Sequence, residues 1–231
     1  MQRPLVSIII PAYNEEATIA QILKKVSDTK FPEHRKEIIV INDGSTDRTN
    51  TIILSLISRV NKYIRLKKNS GKGRAIKVGL RAASGDLVLI QDADLEYDPR
   101  AYPSLVKPFK NSGVHAVYGS RELKHNPRSS RLFYYGGKAI TVFCNFIYGS
   151  HLTDVTTGFK VFRKKSLSSL DFKSKGFSFC AEVTALILKH NLQIIEVPIS
   201  YQPRTIKEGK KIRFSDGLAS LITLLAVFIK K

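Results

Sequence analysis

The densest chemistry in the chain is Asp92-Ala93-Asp94, with Glu96 two residues on. Two carboxylates one residue apart, backed by a third, offer hard oxygen ligands. Such a set suits Mg2+ or Mn2+, which in turn binds a diphosphate. An acidic helix-capping turn has the same composition, so spacing alone leaves both readings open. Asp43, in Asn42-Asp43-Gly44-Ser45, is either a turn former or a carboxylate that bonds a nucleobase or ribose. Asn69-Ser70-Gly71-Lys72-Gly73 sets glycines ahead of a helix and adds a lysine, which is the form of an anion site. It lacks the G-x-x-x-x-G-K-[ST] spacing of a P-loop. Arg121, Arg128, Arg131, Lys138, Arg204, Lys207, Lys210, Lys211 and Arg213 form a dense basic set. Arginine suits two-point contacts to phosphate, and a solvated face is the alternative for most of the set. Glu182 interrupts the mostly apolar stretch 177–188. It either reaches a crevice or is a buried carboxylate bonded to backbone or arginine. The histidines fall in no metal-ligand spacing.

These residues need strand ends to hold them. Leu5–Ile10 is a β-branched run stopped by Pro11, so a buried strand is expected. Asn14 can cap a helix from Glu15 to about Ser27, with Ile19, Ile22, Leu23 and Val26 on one stripe. Strands are expected at Glu37–Ile41, Tyr63–Lys67 and Leu87–Gln91, and helices at about 47–60 and 71–83. Alternating strands and helices mean an α/β parallel sheet with right-handed crossovers. Ligands of such sheets bind at the carboxyl ends of the strands, where Tyr13-Asn14-Glu15, Asp43, Asn69–Lys72 and Asp92–Glu96 all fall. Beyond residue 100 the reading is a strand at Val114–Tyr118, a polar basic loop over 122–131 and an aromatic-rich helix at Phe133–Tyr148. A strand-like Thr157–Arg163, a helix Ala181–His190, a strand Ile194–Ser200 and a basic loop Gln202–Arg213 follow.

The charge is what sets the composition apart. The chain has 231 residues and a net charge of +19. Residues 1–100 carry 17 basic and 12 acidic residues; residues 101–231 carry 21 and 7. A basic second half implies an anionic partner: nucleic acid, lipid headgroups or substrate phosphates. With 43% hydrophobic and 25% charged residues the chain is globular, not disordered or collagen-like. Two cysteines, Cys144 and Cys180, are too few for a disulfide framework or metal knuckle and fit a reducing, cytosol-facing location. MQRPLVSIII does not read as a secretory leader. The longest apolar stretch, Leu218–Ile229, makes a helix of about 18 Å, short of a roughly 30 Å hydrocarbon core. It is expected to lie at a membrane surface, pack on the protein, or begin a longer anchor. The expected division is a catalytic domain over 1–213 and an apolar helix over 214–231.

Taken in order, VSIIIPAYNEE, VINDGSTDRT, NSGKGRAIKVGL, GDLVLIQDADLEYDP, YGSRE, LTDVTTGFKVFRK and EVPISYQPRTIKEGKKIRFSDG resemble the dolichyl-phosphate mannose and glucose synthases. These are inverting polyprenyl-phosphate glycosyltransferases of family 2 with the GT-A fold. The resemblance spans about residues 4–217. It implies a Rossmann-like, mostly parallel sheet flanked by helices, with C-terminal amphipathic helices at the membrane surface. It implies that Pro11, Tyr13 and Glu15 hold the base and ribose, that Asp43 bonds the base, and that Lys72 belongs to the loop closing over the nucleotide. It places Asp92, Ala93 and Asp94 beside the metal and diphosphate, and Glu96 as a ligand where relatives often carry Gln. Arg121, Arg131 and Arg204 match basic residues that receive the acceptor phosphate, and Thr157-Gly158-Phe159 matches the wall of the sugar pocket. Two departures stand out. Asn42 replaces an acid often found before Asp43, and only Leu218–Ile229 stands where larger relatives carry transmembrane helices.

The implied reaction moves a hexose from GDP-mannose, UDP-glucose or UDP-N-acetylglucosamine to dolichyl or undecaprenyl phosphate at the cytosolic membrane face. The expected partners are the nucleotide sugar, the polyprenyl phosphate and an anionic membrane surface, not nucleic acid. A nucleic-acid module explains the charge but not Asp92 and Asp94, which would repel phosphate in the absence of a metal. The remaining alternative is a soluble glycosyltransferase with a glycan or other non-lipid acceptor.

Overall fold

The computed structural model describes residues 3–128, 130–205, 209 and 211–230. Lys207 and Lys210 of the basic set lie outside the described residues. The first hundred residues alternate: β1 (Leu5–Ala12), α1 (Ile19–Asp28), β2 (Arg35–Asn42), α2 (Thr49–Ser55), β3 (Lys62–Arg65), α3 (Lys72–Ala82) and β4 (Leu87–Ile90). Then come α4 (Tyr102–Val106), β5 (Val114–Ser120), α5 (Arg131–Tyr148), β6 (Lys160–Arg163), α6 (Lys164–Ser169), α7 (Phe179–Lys189), β7 (Gln193–Pro198) and α8 (Phe214–Ile229).

The described residues form a seven-stranded sheet in the order β3-β2-β1-β4-β6-β5-β7. β1 runs parallel to β2 and β4, β2 to β3, and β5 to β7. β6 alone among them is antiparallel, to both β4 and β5. The period of two along β1 feeds two cores. Val6, Ile8 and Ile10 pack with Ile19, Ile22, Leu23 and Val26 of α1 and with Tyr102 and Leu105 of α4. Ile9 faces the other way, with Ala75 and Ile76 of α3 and Val183 of α7. Each such side chain contributes roughly 1.5–3 kcal/mol by leaving water. A third cluster joins Ile140 and Cys144 of α5, Ala181 and Ala185 of α7, and Leu224 and Val227 of α8.

The helix starts differ from expectation. α1 begins at Ile19, not Glu15. Asn14 adopts a left-handed φ of 48° and does not cap it. Its side chain instead accepts the Thr46 N–H at 2.9 Å, tying the loop after β1 to the loop after β2. α2 stops at Ser55 and tightens into a 3-10 turn at Ile57–Arg59.

Candidate active site

The parallel strands β2, β1 and β4 end side by side, and their following loops meet. Pro11 and Ala12 finish β1 opposite Ile41 and Asn42 of β2. Asp43, just beyond β2, is 3% exposed. Its two oxygens accept the backbone N–H of Ser70 at 2.9 Å and of Gly71 at 2.8 Å. Burial pushes its carboxyl pKa up, and these two bonds work against that rise. Asp43 therefore fixes the loop that starts α3. Gly71 has φ 91°, and a Cβ there would lie 2.4 Å from the Lys175 carbonyl oxygen. Only glycine lets the 173–176 segment approach so closely. That segment is held from behind by Glu182, whose carboxylate accepts the Lys173 and Ser174 N–H groups at 2.8 and 2.6 Å. Glu182 is thus a buried carboxylate bonded to backbone.

The fixed loop delivers Lys72 to Asp92, with Nζ 2.5 Å from Oδ1. Burial alone would lower the Lys72 pKa, but the Asp92 charge and hydrogen bond, with the nearby Cys180 and Asp94, together outweigh it and the net shift is upward. Gly158 closes against the pair: a Cβ there would stand 2.3 Å from Asp92 Oδ2 and 3.1 Å from Lys72 Nζ. Ala93, 3% exposed, packs into the core between the two acids.

Asp94 meets the far end of the chain. Arg204 reaches Asp94 Oδ2 through Nη2 at 2.9 Å and Glu15 Oε2 through Nη1 at 3.1 Å. Lys211 donates to the other Glu15 oxygen at 2.7 Å and to the Asn14 carbonyl at 3.0 Å, and also contacts the Tyr13 carbonyl. Glu96 accepts the Arg204 backbone N–H at 2.8 Å and the Tyr201 hydroxyl at 3.2 Å. A backbone bridge between Tyr97 and Tyr201 fastens this crossing. Burial, then Asp92 and Glu96, push the Asp94 carboxyl up to about 7, against the pull of Arg204. Among the described residues, no three acidic, histidine or cysteine side chains stand together as a finished metal site. Asp92, Asp94 and Glu96 are near enough to repel one another, yet each is engaged by a separate donor. The Arg204 Nε is buried and lacks a partner among the described residues, a donor suited to an incoming anion.

A cavity of about 1390 Å3 opens beside this cleft, between the 121–128 segment, α5 and α8. Arg121, Arg131 and Lys138 line it together with Leu132, Phe133, Ile140, Phe214, Leu218 and other apolar side chains. Arg204 is not among the lining residues; it stays on the acidic side. Tyr201 joins the two sites, since it lines the cavity, bonds Glu96 and lies under the Arg121 guanidinium, 5.1 Å from ring centre to Cζ. Arg121 is clamped by Asp154, Nε to Oδ2 at 2.6 Å and Nη2 to Oδ1 at 2.7 Å, and its Nη2 also reaches Thr156 at 2.7 Å. Burial would raise the Asp154 pKa, but the Arg121 charge and bonds hold it below the usual range.

Several site residues escaped the sequence reading. Asp154, three residues before Thr157-Gly158, is the counter-ion of Arg121. Tyr97 sits fully inside, where its hydroxyl accepts the Gly158 N–H at 3.2 Å and its ring stacks on Phe159. Tyr201 couples the C-terminal segment to the acids, alongside Lys211 of the basic set singled out in the sequence. A carboxylate among threonines and a tyrosine three residues from Asp94 are the available signals; only the fold shows their partners.

The dolichol-phosphate mannosyltransferase of Pyrococcus furiosus is 31% identical over 212 residues, covering 89% of this chain and 58% of its own. The chain thus spans little more than half of that relative. A dolichyl-phosphate beta-glucosyltransferase of Trichomonas vaginalis is 30% identical over 97% of this chain and 73% of its own. The UDP-N-acetylglucosamine–dolichyl-phosphate N-acetylglucosaminyltransferase of Methanococcus voltae is 30% identical over 86% of each. Glucosyl-3-phosphoglycerate synthase from Mycobacterium tuberculosis, solved with Mn2+, UDP and glucosyl-3-phosphoglycerate, superposes with a TM-score of 0.76. At 22% identity, over 97% of this chain and 80% of that one, it establishes the GT-A-like α/β fold. The model of glycosyl transferase family 2 matches residues 7–171, and the chain belongs to that family.

Proposed function

We propose that the chain transfers a hexose from a nucleotide sugar to a polyprenyl phosphate at the cytosolic face of a membrane, with inversion at the sugar. The observation that carries this reading is the cavity beside the acidic cleft. Its arginines and lysine suit a phosphate, and its remaining wall suits a hydrocarbon chain. The three relatives described above are named for dolichyl or dolichol phosphate and for mannose, glucose and N-acetylglucosamine. They favour the acceptor class and leave the sugar open.

In this reading the nucleotide lies over the ends of β1 and β2, near Tyr13, Glu15 and Asp43. Lys72 and the N-terminus of α3 face the diphosphate. The crowded carboxylates of Asp92, Asp94 and Glu96, which repel one another, are the residues that would hold Mg2+ or Mn2+. Such an ion would supply charge stabilisation for the leaving nucleoside diphosphate. Arg121, held by Asp154, and Arg131 orient the acceptor phosphate. A phosphate monoester has its second pKa near 6, so it is already an anion at neutral pH and needs positioning more than a base. Its oxygen attacks the sugar C1 opposite the leaving group, and the new bond inverts the anomeric centre.

Among the described residues no helix is long and apolar enough to cross a membrane. α5 and α8 nevertheless turn large apolar side chains outward, including Phe146 at 84% and Phe214 at 74% exposure. Beside a basic surface, this suits peripheral contact with anionic lipid.

The test is a panel of GDP-mannose, UDP-glucose and UDP-N-acetylglucosamine with dolichyl phosphate in vesicles. One nucleotide sugar should release its nucleoside diphosphate only when lipid phosphate is present, and the sugar should appear on the lipid. Equal turnover with a water-soluble sugar acceptor would refute the lipid reading.

A further inference from the structure

Lys160 is an unusual residue for the centre of a sheet. It lies in β6 with no exposure at all. Its Nζ stands 3.2 Å from the centre of the Tyr118 ring and donates to the Val155 carbonyl at 3.1 Å. That carbonyl belongs to the segment that carries Asp154 and Thr156, the two side chains gripping Arg121.

The segment 152–155 is tied at successive peptides. Asn145 of α5 accepts the Leu152 N–H at 3.0 Å and donates to its carbonyl at 2.8 Å. Glu196 of β7 accepts the Thr153 and Asp154 N–H groups at 2.7 and 2.9 Å. Thr141 of α5 accepts the Val155 N–H at 3.2 Å, and Lys160 takes the Val155 carbonyl. Lys160 supplies the one positive charge among these ties.

We propose that Lys160 is a positioning residue for the acceptor phosphate, holding the 153–156 segment so that Asp154 and Thr156 present the Arg121 guanidinium to the cavity. The inference rests on the lipid-phosphate reading for its substrate but not for its geometry. An ammonium in this place gives a charge-assisted bond to the carbonyl, rests on an aromatic face and offsets the nearby carboxylates. A neutral side chain would keep the packing and lose the hold. The groups facing Lys160 are Tyr118 of β5, Arg121 just after it, Cys144 of α5, Asp154, Cys180 of α7 and Glu196 of β7. Burial brings its pKa down to about 8, against the raising influence of Cys180, Asp154 and Glu196. Its proton is therefore lost within a range where transfer and amide exchange are both measurable.

The experiment compares the wild type with Lys160→Met and Lys160→Arg. Lys160→Met is close in shape, and a buried charge exchanged for a packed apolar group commonly leaves a protein folded. Lys160→Arg retains the charge and guards against a packing artefact. The first readout is hydrogen exchange of the 152–156 amides at pH 7 and 9, corrected for intrinsic rates. Wild-type protection should fall about ten-fold between the two pH values. Lys160→Met should be low and level at both, and Lys160→Arg should stay protected to pH 9. The second readout is transfer to dolichyl phosphate. Lys160→Met should raise KM for the lipid phosphate about ten-fold, with KM for the sugar nucleotide unchanged. Lys160→Arg should recover most of that loss. Wild-type exchange behaviour in Lys160→Met, or equal damage to both KM values, overturns the proposal. If no lipid phosphate is ever glycosylated, the acceptor reading fails, and the exchange readout alone decides the role of Lys160.

Discussion

Arg204 and Asp94 form an ion pair 2.9 Å long between the C-terminal segment and the acidic turn after β4. The pair puts a guanidinium where a divalent cation would otherwise balance Asp94. Arg204 also bonds Glu15, so one side chain neutralises acids from two strand ends. Its replacement should therefore separate two properties. Arg204→Ala leaves Asp94 with less compensation, so Mn2+ should bind the donor-free protein several-fold more tightly. Transfer should fall about ten-fold or more, because the buried Arg204 Nε, the donor left open for an incoming substrate anion, is lost with it. Mn2+ titration by electron spin resonance and a transfer assay read the two effects. Weaker Mn2+ binding in the variant would show that Arg204 supports the cation and does not compete with it.

Gly158 is a tight point of the donor side, where the neighbours are the Asp92 and Lys72 side chains. An added methyl would overlap Asp92 Oδ2 at 2.3 Å and crowd Lys72 Nζ at 3.1 Å. The Gly158 backbone is anchored by Tyr97, so the methyl cannot simply swing away. Gly158→Ala should lower nucleoside-diphosphate affinity more than ten-fold by parting Lys72 from Asp92, while circular dichroism stays native. Calorimetric titration with GDP and UDP checks it. Full affinity for the preferred nucleotide would mean that the Lys72–Asp92 contact is dispensable.

Strand ends and local periodicity explain what could be read beforehand. The stripe Ile19, Ile22, Leu23 and Val26 and the unbroken Leu87–Ile90 specify which faces are buried, and hence where Asp43 and Asp92 emerge. The hidden part is what depends on distant pairing. The antiparallel course of β6 has no local signature, since Lys160–Arg163 reads the same in either direction. The tie of Arg204 to Glu15 crosses 189 positions, and the Asp154 clamp on Arg121 crosses 33. Side chains that meet across such separations leave no spacing to recognise. The left-handed turn at Asn14 is hidden for a similar reason. Asparagine caps helices and also tolerates positive φ, and the partner that decides, Thr46, lies in another loop.

Glu37 offers a pH dependence away from the site. It is 7% exposed and binds Ser7 Oγ, the Ser84 N–H and Lys62. Burial would raise its pKa, but the bonds from Lys62, Ser7 and Ser84 outweigh it and bring the carboxyl down to about 2. A depressed carboxyl stabilises the fold fully above its unfolded value of about 4.3. That stabilisation is lost as pH falls toward about 2. Glu37→Gln should cost about 1–3 kcal/mol at pH 7 and flatten the decline between pH 5 and 2. Urea unfolding across that range tests it. An unaltered acid limb would assign the decline to other groups.

The outward face of α8 gives the last test. Phe214, Leu218 and Ile222 are 74%, 55% and 60% exposed, and Leu132 and Val142 of α5 are 62% and 66% exposed. Apolar side chains in such number, beside Arg128, Arg131 and Arg213, suit a lipid interface better than water. Insertion of the apolar face would supply the depth of binding, and each nearby Lys or Arg would add about 1 kcal/mol on an anionic leaflet. Phe214→Ser with Leu218→Ser should reduce partition onto phosphatidylserine vesicles about ten-fold or more, because two large side chains no longer enter the acyl boundary. The binding that remains should be electrostatic and should vanish as salt is raised to 0.5 M, where screening shortens its reach. Nucleotide-sugar binding should be unchanged, since neither residue touches the acidic cleft. Equal partition of the wild type and the double variant would mean that α8 covers something other than lipid.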